Sequence, residues 1–426
     1  MKFQPPRGMR DFGPKEMAKR EWMAGKIKEV AGRYGFETIQ TPGVESWELL
    51  GKKGGGGELI RNEVYVFKDK SGRELGLRFE FTVSFARFLA SNPQVPKPFK
   101  RWQMGPVWRY DRPQSGRYRE FFCCELDIAG ASGPEADAEI LAVTCAILKE
   151  VDLDFKIRIN NRKMVEGLLL SAGVKKESVI DVFRSIDKLA KVGVSGVEAE
   201  MESRKIPKAQ AKKILSILSL KGDVLEKVEK SVGKDPVGKE GIENLREVIK
   251  IAKKSGFGDR LLVDLSLVRG LEYYTGCVWE IAGSSDLSLG GGGRYDKLVE
   301  LYGGQPTPCV GIGLGFERIF DLIQEKLEIP PKTKVYVLNV KEIFLEKAGQ
   351  IANDIRKAGI PAETDLMGRG LRKQMEYANS RGIPFVLFVG EKEIKSGRFV
   401  LKEMESGKEN SLEVREIIKK VLEATH

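Results

Sequence analysis

The feature of this sequence that most constrains its fold is a change of pattern at Ile329-Pro330-Pro331-Lys332. Before this segment, strand-like stretches follow one another in runs, whereas after it single apolar stretches such as KVYVLNV and PFVLFVG alternate with helical patterns. Runs of strands favour an α+β unit around a largely antiparallel sheet flanked by helices, and alternation favours an α/β unit. The sequence therefore predicts two domains, residues 1–328 and residues 332–426.

Within the first domain, residues of about 165–255 are rich in Lys and Glu at helical spacing, which predicts a helical insertion. Around it, RWQMGPVWRYD, REFFCCELDIAG and RLLVDLSLV predict strands, and Pro134 to Val151 predict an amphipathic helix. The segment GFETIQTPGVES predicts a strand that is broken at Pro42. The first domain therefore combines a sheet with a separate helical module.

Composition places the chain among soluble globular enzymes. Hydrophobic residues make up 41% of its 426 residues and charged residues 31%, as is typical of globular domains. No apolar run approaches the roughly 20 residues needed to cross a bilayer, and MKFQPPRGMRDFGP lacks the apolar core of a signal peptide. We therefore expect a cytoplasmic protein.

The use of histidine and cysteine excludes several kinds of active site. The only histidine is His426, so histidine general bases and histidine-ligated metal sites are essentially excluded. The five cysteines are odd in number and form no C-x-x-C motif, which argues against a disulfide framework and a zinc knuckle. Catalysis must therefore use carboxylates, arginines, lysines or a bound ion.

The charge balance is basic. Lys and Arg exceed Asp and Glu by 72 to 61, which gives a net charge of +11. Such an excess suits a nucleic-acid partner. A lysine-rich protein with solvated helix faces would show the same excess, so charge alone does not decide between the two.

Three arginines lie in otherwise apolar segments: Arg109 in VWRYD, Arg269 in SLVRGLEYYTG and Arg318 in GFERIF. Arginine keeps its charge when buried, and its planar guanidinium matches phosphate and carboxylate groups. One such residue alone more often forms a structural ion pair. Three that converge on one site would suit the phosphate chain of ATP.

Carboxylates also occur within apolar segments. Glu80 and Thr82 in LRFEFT are two residues apart, which in a strand places both side chains on one face, where they would suit an ammonium group. Glu125 and Asp127 stand in the predicted strand REFFCCELDIAG, and Glu317 in GFERIF is expected to be exposed or to contact a metal or a base.

Two glycine runs stand out. The run at 54–57 predicts turns or a flexible loop, whereas the run at 290–293 directly precedes RYD. The second run lacks the G-K-[ST] ending of a P-loop. Backbone without side chains at that place would let a ligand approach closely.

Taken together, these segments resemble the histidyl-tRNA synthetases, a family of class II aminoacyl-tRNA synthetases. RGMRDFGP resembles the family's opening segment, GFETIQTPGVES its motif 1, PVWRYDRPQSGRYREF its motif 2 and GIGLGFERIF its motif 3. LVRGLEYYTG and GGGGRYD are similar to two peptides peculiar to the histidine enzymes, and they are the specific signal. GRGLRKQMEYANSRGIPFVLFVGEKE resembles the anticodon-binding domain of several class II synthetases.

The resemblance implies a class II catalytic domain, an anticodon-binding α/β domain and a histidine–tRNA ligase activity. Such an enzyme activates L-histidine with ATP to histidyl-adenylate and then transfers histidine to the 3′ end of tRNA(His). The resemblance also implies Mg²⁺ bound mainly through ATP rather than by His or Cys of the protein, and a homodimer formed through motif 1 around Pro42.

The resemblance further implies a role for each matching residue. Arg269 and Arg109 would be the catalytic residues, which stabilise charge at the reacting phosphate. The residues expected to bind histidine are Glu80, Thr82, Asp127, Arg269, Tyr273, Tyr274 and Tyr295, those expected to bind ATP are Arg109, Arg117, Phe121 and Arg318, and those expected to meet tRNA are Arg112 and Gln114. For Tyr273, alternation in a strand instead predicts a side chain on the opposite face, where it would pack.

The sequence departs from the family pattern at a few positions. Cys123 stands where many members have a glutamine near the substrate amino group, which changes the chemistry of that contact. Asp111 and Asp127 replace glutamates, and Glu272 replaces an aspartate, so these three keep the functional group.

A second function is compatible with part of the resemblance. The alternative is a catalytically silent, histidine-binding regulatory paralogue, such as the synthetase-like subunit of ATP phosphoribosyltransferase. A paralogue of that kind lacks the anticodon-binding domain and need not retain the motif arginines. A histidine-dependent ATP–pyrophosphate exchange assay distinguishes the two functions.

Overall fold

The computed structural model describes residues 3–52, 61–110, 112, 116–220, 224–268, 273–283 and 288–425. The chain divides into two compact units, Met1–Leu327 and Glu328–His426. Each unit folds around a hydrophobic core of its own.

The first unit contains the strands of two sheets and the helices around them. Its strands are β1 (Glu37–Thr38), β2 (Val44–Ser46), β3 (Val66–Lys68), β4 (Glu74–Leu77), β5 (Phe99–Trp108), β6 (Glu120–Ala129), β7 (Phe155–Asn161), β8 (Leu261–Val263), β9 (Cys277–Gly283), β10 (Ser288–Arg294) and β11 (Cys309–Gly315). Its helices are α1 (Pro14–Arg33), α2 (Trp47–Gly51), α3 (Thr82–Ser91), α4 (Pro134–Glu150), α5 (Arg162–Ser171), α6 (Val179–Ile186), α7 (Leu189–Ser203), α8 (Lys208–Leu218), α9 (Val224–Val232), α10 (Pro236–Lys254), α11 (Leu298–Leu301) and α12 (Phe316–Ile323). Short 3₁₀ turns occupy Lys176–Ser178, Gly258–Arg260 and Gln324–Lys326.

Eight strands in the described part of this unit form one sheet, in the order β1-β5-β6-β11-β10-β9-β7-β8. Neighbours are antiparallel from β5 across to β7, and the edge pairs β1/β5 and β7/β8 are parallel. The largely antiparallel sheet predicted from the sequence is thereby confirmed. On either side of Pro42 the chain enters different sheets, since β1 joins the large sheet and β2 joins a smaller one with β4 and β3.

One face of the large sheet is apolar. Side chains alternate along each strand, and Trp102, Leu126, Trp279 and Ile312 point from four strands into the main core, which they share with residues of α1, α4 and α10. Burying one such side chain contributes about 1.5–3 kcal/mol. The helices therefore cover this face, and the opposite face is left for polar side chains.

The parallel edge pair explains where the helical insertion is connected. Ile157 on β7 lies opposite Leu261 on β8, and parallel neighbours require a long crossover. The helices α5 to α10 form this crossover. The strand predicted for RLLVDLSLV is shorter than expected, because the Asp264 side chain accepts hydrogen bonds from the Ser266 N–H at 2.9 Å and the Ser266 hydroxyl at 2.6 Å and so turns the chain out of the sheet.

The second unit confirms the predicted α/β pattern. Its strands are β12 (Val335–Asn339), β13 (Ala362–Thr364), β14 (Phe385–Val389), β15 (Phe399–Glu403) and β16 (Glu409–Leu412), and its helices are α13 (Leu345–Lys357), α14 (Leu371–Ser380), α15 (Glu391–Ser396) and α16 (Val414–Thr425), with a 3₁₀ turn at Glu342–Phe344. The sheet order is β13-β12-β14-β15-β16, and its first three strands are parallel. Residues of α13 and α16 pack on one face and residues of α14 on the other. None of the helices described in either unit is long and apolar enough to cross a membrane.

All five cysteines of the sequence are buried thiols of the first unit. Burial raises the pKa of the thiols of Cys124 and Cys145 to about 12. It also raises the pKa of the thiols of Cys123, Cys277 and Cys309. Each thiol therefore stays neutral in the folded chain at ordinary pH.

Candidate active site

On the polar face of the large sheet, charged side chains lie next to glycine residues of the neighbouring strands. The pairing of β5, β6, β11 and β10 forms two rows: Gln103, Glu125, Gly313 and Gly291 in one, and Arg101, Asp127, Gly311 and Gly293 in the other. A Cβ on Gly311 would lie only 1.9 Å from Asp127 Oδ1, so glycine is required there. The glycines leave backbone without side chains beside the charged residues of β5 and β6.

Asp127 lies in a buried contact with a tyrosine and an arginine. The Tyr295 hydroxyl donates a hydrogen bond to Asp127 Oδ1, and Arg101 Nη2 lies 2.7 Å from Asp127 Oδ2. Burial raises the pKa of Asp127, whereas the charge of Arg101 and the hydrogen bond from Tyr295 act in the opposite direction. An ionised carboxylate in this position can accept a hydrogen bond from an imidazole N–H.

Glu125 joins the same strand to the start of α3. Its Oε1 accepts a hydrogen bond from the Phe81 N–H at 3.1 Å, and its Oε2 accepts from the Thr82 hydroxyl at 3.1 Å and from Arg101 Nη2 at 3.3 Å. Burial, the charge of Asp127 and other nearby acid raise the pKa of Glu125 to about 7, although Arg101 opposes the rise. The Thr82 hydroxyl is therefore held by Glu125, a residue to which the resemblance assigns no role.

Glu80 and Thr82 do not lie in a strand, so the argument from strand alternation is wrong. The strand β4 ends at Leu77, and Thr82 is the first residue of α3. The Glu125 carboxylate favours a helix start at this point, because it accepts the Phe81 N–H, which has no partner within the helix. Glu80 is nevertheless buried, and its charge acts on Glu125, so it lies in the same cluster.

Tyr273 and Tyr274 lie side by side. Their hydroxyl oxygens are 3.3 Å apart and their ring centroids 4.5 Å apart, and the Tyr273 ring centroid is 6.1 Å from that of Tyr295. The prediction that Tyr273 lies on the opposite face of a strand is wrong, because residues 273–276 are not in a strand, whereas its predicted packing is confirmed, against the buried cluster that includes Tyr274 and Tyr295. The three rings form one cluster next to Asp127.

A cluster of arginines lies at the other end of β6, near Phe121. The Arg109 guanidinium carbon is 5.2 Å from the Phe121 ring centroid, and Arg318 Nη1 donates a hydrogen bond to the Ser288 carbonyl at 2.5 Å. Burial lowers the pKa of Arg318, and the charges of Arg117 and Arg109 lower it further. Anions relieve repulsion between cations, and phosphate oxygens match the guanidinium fork. The cluster therefore suits a phosphate chain.

Glu317 is buried and ion-paired, so the prediction that it is exposed or contacts a metal or a base is wrong. Its carboxylate accepts hydrogen bonds from Arg20 Nη1 and Nη2, both at 2.7 Å, from Arg10 at 2.8 Å and from the Phe122 N–H at 3.0 Å. Burial alone would raise the pKa of Glu317, but these hydrogen bonds outweigh it and lower the pKa. The contacts hold the start of α12, and with it the backbone of Arg318, against α1.

Arg101 is a residue of this site that the sequence-based predictions do not mention. It is completely buried, and its guanidinium carbon lies 4.4 Å from the Phe85 ring centroid. Its signal is present in the sequence, since RWQMG places an arginine in an apolar strand just as VWRYD does. Antiparallel pairing of the two long predicted strands brings Arg101 opposite Asp127.

Some predicted site residues cannot be placed among these clusters. Arg269 and Gln114 lie outside the described residues, as do Asp111 and Glu272. Arg112 is described and exposed. The two clusters are therefore built from Glu80, Thr82, Arg101, Glu125, Asp127, Tyr273, Tyr274 and Tyr295 at one end and from Arg109, Arg117, Phe121 and Arg318 at the other.

The raised pKa of Glu125 predicts a pH dependence of stability. Its pKa is about 7 in the folded chain, against an ordinary value of about 4.3, so unfolding releases its proton between these pH values. The free energy of unfolding should therefore fall as the pH rises from about 5 to 7, by up to about 1.4 kcal/mol per pH unit relative to a Glu125→Gln variant. Urea denaturation of both proteins over this range measures the difference. Identical pH dependence in the two proteins would contradict the assignment.

Comparison with known proteins identifies the family. A sequence profile described as "Histidyl-tRNA synthetase" matches residues 8–319, and one described as "Anticodon binding domain" matches residues 334–424. The chain belongs to the histidyl-tRNA synthetase family. This confirms the resemblance and the fold class predicted from the sequence.

The synthetase is similar to relatives over nearly its whole length. It is 36% identical to a histidine–tRNA ligase of Aeropyrum pernix, with 98% of this chain and 97% of the relative covered. It is 38% identical to one of Methanocaldococcus jannaschii, with 97% and 98% covered. The crystal structure of histidyl-tRNA synthetase from Nostoc sp. PCC 7120 matches it with a TM-score of 0.85 and 28% identity, over 100% of both chains.

Proposed function

We propose that the protein is a histidine–tRNA ligase whose two site clusters bind the two halves of histidyl-adenylate. The observation that carries the proposal is the order of groups along one face of β6. Asp127 with Tyr295 would meet the imidazole, Thr82 held by Glu125 would meet the ammonium group, and Phe121 would meet the adenine. Six residue steps separate Asp127 from Phe121, which is about 20 Å at the ordinary rise of a strand. This span suits an extended aminoacyl-adenylate.

The end of the site near Asp127 has the chemistry to select histidine. A neutral imidazole presents one donor and one acceptor. Asp127 would accept from the imidazole N–H, and the hydroxyl of Tyr274 would donate to the other nitrogen. A site that bonds polar substrate groups in this way rejects analogues lacking them by about 10⁴-fold to 10⁵-fold.

The first step would be formation of the adenylate. A carboxylate oxygen of histidine attacks the α-phosphorus of ATP, the new P–O bond forms, and the bond to the bridging oxygen breaks as pyrophosphate leaves. The step needs no nucleophile from the protein. Arg109 and, from the resemblance, Arg269 would stabilise charge at the α-phosphate, while Arg117 and Arg318 would hold the departing phosphates.

Mg²⁺ would enter with ATP and neutralise charge on the β- and γ-phosphates. Mg²⁺ prefers oxygen donors, and it commonly takes phosphate oxygens together with one or two carboxylates. Glu280, whose charge acts on Arg318, would supply such a carboxylate.

The second step would transfer histidine to tRNA(His). The 3′-terminal hydroxyl attacks the carbonyl carbon of the adenylate and gives its proton to the departing phosphate, and AMP leaves with the electron pair of the broken bond. We propose that Arg112 and Gln114 meet the acceptor end of the tRNA and that residues 332–426 bind its anticodon. The net charge of +11 supports a polyanionic partner.

We also propose that the enzyme is a cytoplasmic homodimer that pairs through motif 1 around Pro42. This proposal is supported by family membership and by the substrates of the reaction. Light scattering coupled to gel filtration tests the dimer, since the chain has a mass of 47.5 kDa and a dimer should show twice this value.

Histidine-dependent ATP–pyrophosphate exchange tests the proposed function. The purified full chain with ATP and Mg²⁺ should incorporate labelled pyrophosphate into ATP when L-histidine is added and not when other amino acids are added. Folded protein that binds histidine without exchange would contradict the proposal and favour the silent regulatory paralogue.

Asp127→Asn should weaken histidine binding selectively. The amide keeps the size of the side chain but removes the negative charge that would accept the imidazole N–H, so the KM for histidine should rise about 10-fold to 100-fold, with little change in the KM for ATP. Steady-state exchange kinetics measure both constants. Tyr295→Phe is the companion variant, because it removes the hydroxyl bond to Asp127. An unchanged KM for histidine in both variants would contradict the assigned role.

A further inference from the structure

The groups that donate hydrogen bonds to Glu125 determine which way the Thr82 hydroxyl is oriented. Glu125 accepts from the Phe81 N–H, the Thr82 hydroxyl and Arg101. An ionised carboxylate has no proton to give. When Glu125 is ionised, the hydroxyl of Thr82 therefore donates its one proton to Glu125, which leaves the lone pairs of its oxygen for another group.

The remaining lone pairs of Thr82 suit a donor with several N–H bonds. The Thr82 side chain is half-buried at the start of α3, whereas Glu125 beneath it is buried. An ammonium group offers donors only. A hydroxyl that donates to Glu125 is therefore oriented in advance to accept from an ammonium group, and the arrival of that cation favours ionised Glu125 in turn.

Arg101 links this arrangement to the other end of the amino-acid pocket. Its Nη2 lies 3.3 Å from Glu125 Oε2 and 2.7 Å from Asp127 Oδ2. The guanidinium is completely buried, so both carboxylates face one fixed cation in a medium of low dielectric constant. Arg101 thus fixes the carboxylate groups of Glu125 and Asp127 relative to each other.

Cys123 is a poor hydrogen-bonding partner for the ammonium group. Its thiol is buried, burial raises its pKa, and its Sγ lies 3.7 Å from the Leu314 carbonyl oxygen and 3.9 Å from Glu125 Oε1. A neutral thiol is a weak hydrogen-bonding group. It therefore gives an ammonium group much less than the amide of a glutamine would give at the same place.

We propose that Glu125 is a positioning residue for the α-ammonium group of histidine. It acts by orienting the Thr82 hydroxyl as an acceptor, while Arg101 holds the carboxylates of Glu125 and Asp127 in fixed positions. The proposal rests on the proposed function, because it takes Thr82 as a contact of the substrate. It assigns a role in amino-acid binding to two residues, Glu125 and Arg101, that the motif comparison leaves without one.

Glu125→Gln tests the proposal with two probes. The NH₂ group of the glutamine amide must face either Thr82 and Arg101 or the Phe81 N–H, and all of these are donors to Glu125. In both orientations, therefore, hydrogen bonds at the start of α3 are lost. L-histidine should bind about 10-fold to 100-fold more weakly. The deamino analogue 3-(imidazol-4-yl)propionate lacks the ammonium group, so its affinity should stay within about twofold of that for the unmodified chain. Isothermal titration calorimetry on the full chain measures both.

The matched control is Asp137→Asn. Asp137 is another buried carboxylate paired with an arginine, since Arg294 Nη2 lies 2.8 Å from its Oδ2. This control should leave the affinities for both probes unchanged. Equal weakening of both probes by Glu125→Gln would show a merely structural role, and an unchanged affinity for histidine would show no role; either result overturns the proposal.

Glu125→Asp keeps the test decisive if Glu125→Gln does not fold. The shorter acid retains the charge next to Arg101 but withdraws from the Thr82 hydroxyl, and it should give the same selective loss for histidine. Histidine-dependent exchange by the unmodified chain distinguishes a failure of the proposed function from a failure of the role inferred for Glu125. Exchange that persists while the probes weaken equally overturns this inference alone, whereas its absence in the unmodified chain overturns the proposed function.

Discussion

Replacing Arg109 by alanine should lower histidine-dependent ATP–pyrophosphate exchange by about 100-fold to 1,000-fold, the usual cost of removing one fixed donor from a charged transition state. Arg109 is held in place before any ligand arrives, because its Nε donates to the Phe79 carbonyl at 3.1 Å and its guanidinium lies over the Phe121 ring. The loss should fall mainly on kcat. Histidine alone should still bind, since the groups around Asp127 are untouched.

The control for this variant is Arg73→Ala. Arg73 is 75% exposed in its side chain and pairs with Asp69 in the turn between β3 and β4, so its removal changes the net charge equally without touching the arginine cluster. Exchange should stay within about twofold. A similar loss in both variants would mean that overall charge, rather than a fixed cation at the phosphate, explains the effect.

Glu317→Ala should lower the free energy of unfolding of the first unit by about 3–5 kcal/mol, because it leaves a buried arginine without its carboxylate. Arg20 is 3% exposed and makes two hydrogen bonds to Glu317. The rings of Phe12 and Phe316 lie 4.1 and 4.9 Å from its guanidinium carbon, so water cannot easily replace the lost partner. Chemical denaturation followed by tryptophan fluorescence measures the change.

Two further variants test whether the loss of stability comes from leaving Arg20 buried without a partner. Arg20→Met combined with Glu317→Leu replaces the pair by apolar side chains and should recover most of the loss. Glu150→Ala removes an acid that pairs with Lys26 and Arg33 on the outer side of α1, and it should lower the free energy of unfolding far less, because water can solvate both cations. If Glu317→Ala costs no more than Glu150→Ala, the buried pair is not a stabilising contact.

The fold could largely be predicted from the sequence because its signals are local. The two long strands flanking the motif 2 loop, the helix that begins at Pro134 and the alternation after Pro331 each follow from the spacing of apolar residues over about ten positions. The motifs that resemble the family then place these elements in one topology. The bounds of β8 were not predictable in this way, because the side chain of Asp264 ends it.

Two of the errors at the site have the same physical origin. The environment of Glu317 is set by Arg20, 297 positions away, and the helix start at Thr82 is set by Glu125 from another strand. The spacing of apolar residues in the segments around Glu317 and Thr82 does not reveal either contact. The predicted face for Tyr273 is wrong for another reason, since strand alternation does not apply to residues 273–276, which are not in a strand. The position of Arg101, in contrast, can be predicted from the sequence, since antiparallel pairing of the two predicted strands brings it opposite Asp127.

The burial of every cysteine has a practical consequence for measuring the motions of this chain. All five lie between positions 123 and 309, so the second unit has none. A thiol reagent reacts with exposed thiolate, and under native conditions it can modify these side chains only when the first unit opens. The rate of labelling therefore reports the opening of that unit alone, with no engineered probe. One cysteine introduced on the surface of the second unit would then carry a fluorophore specifically, with the native thiols protected by the fold itself.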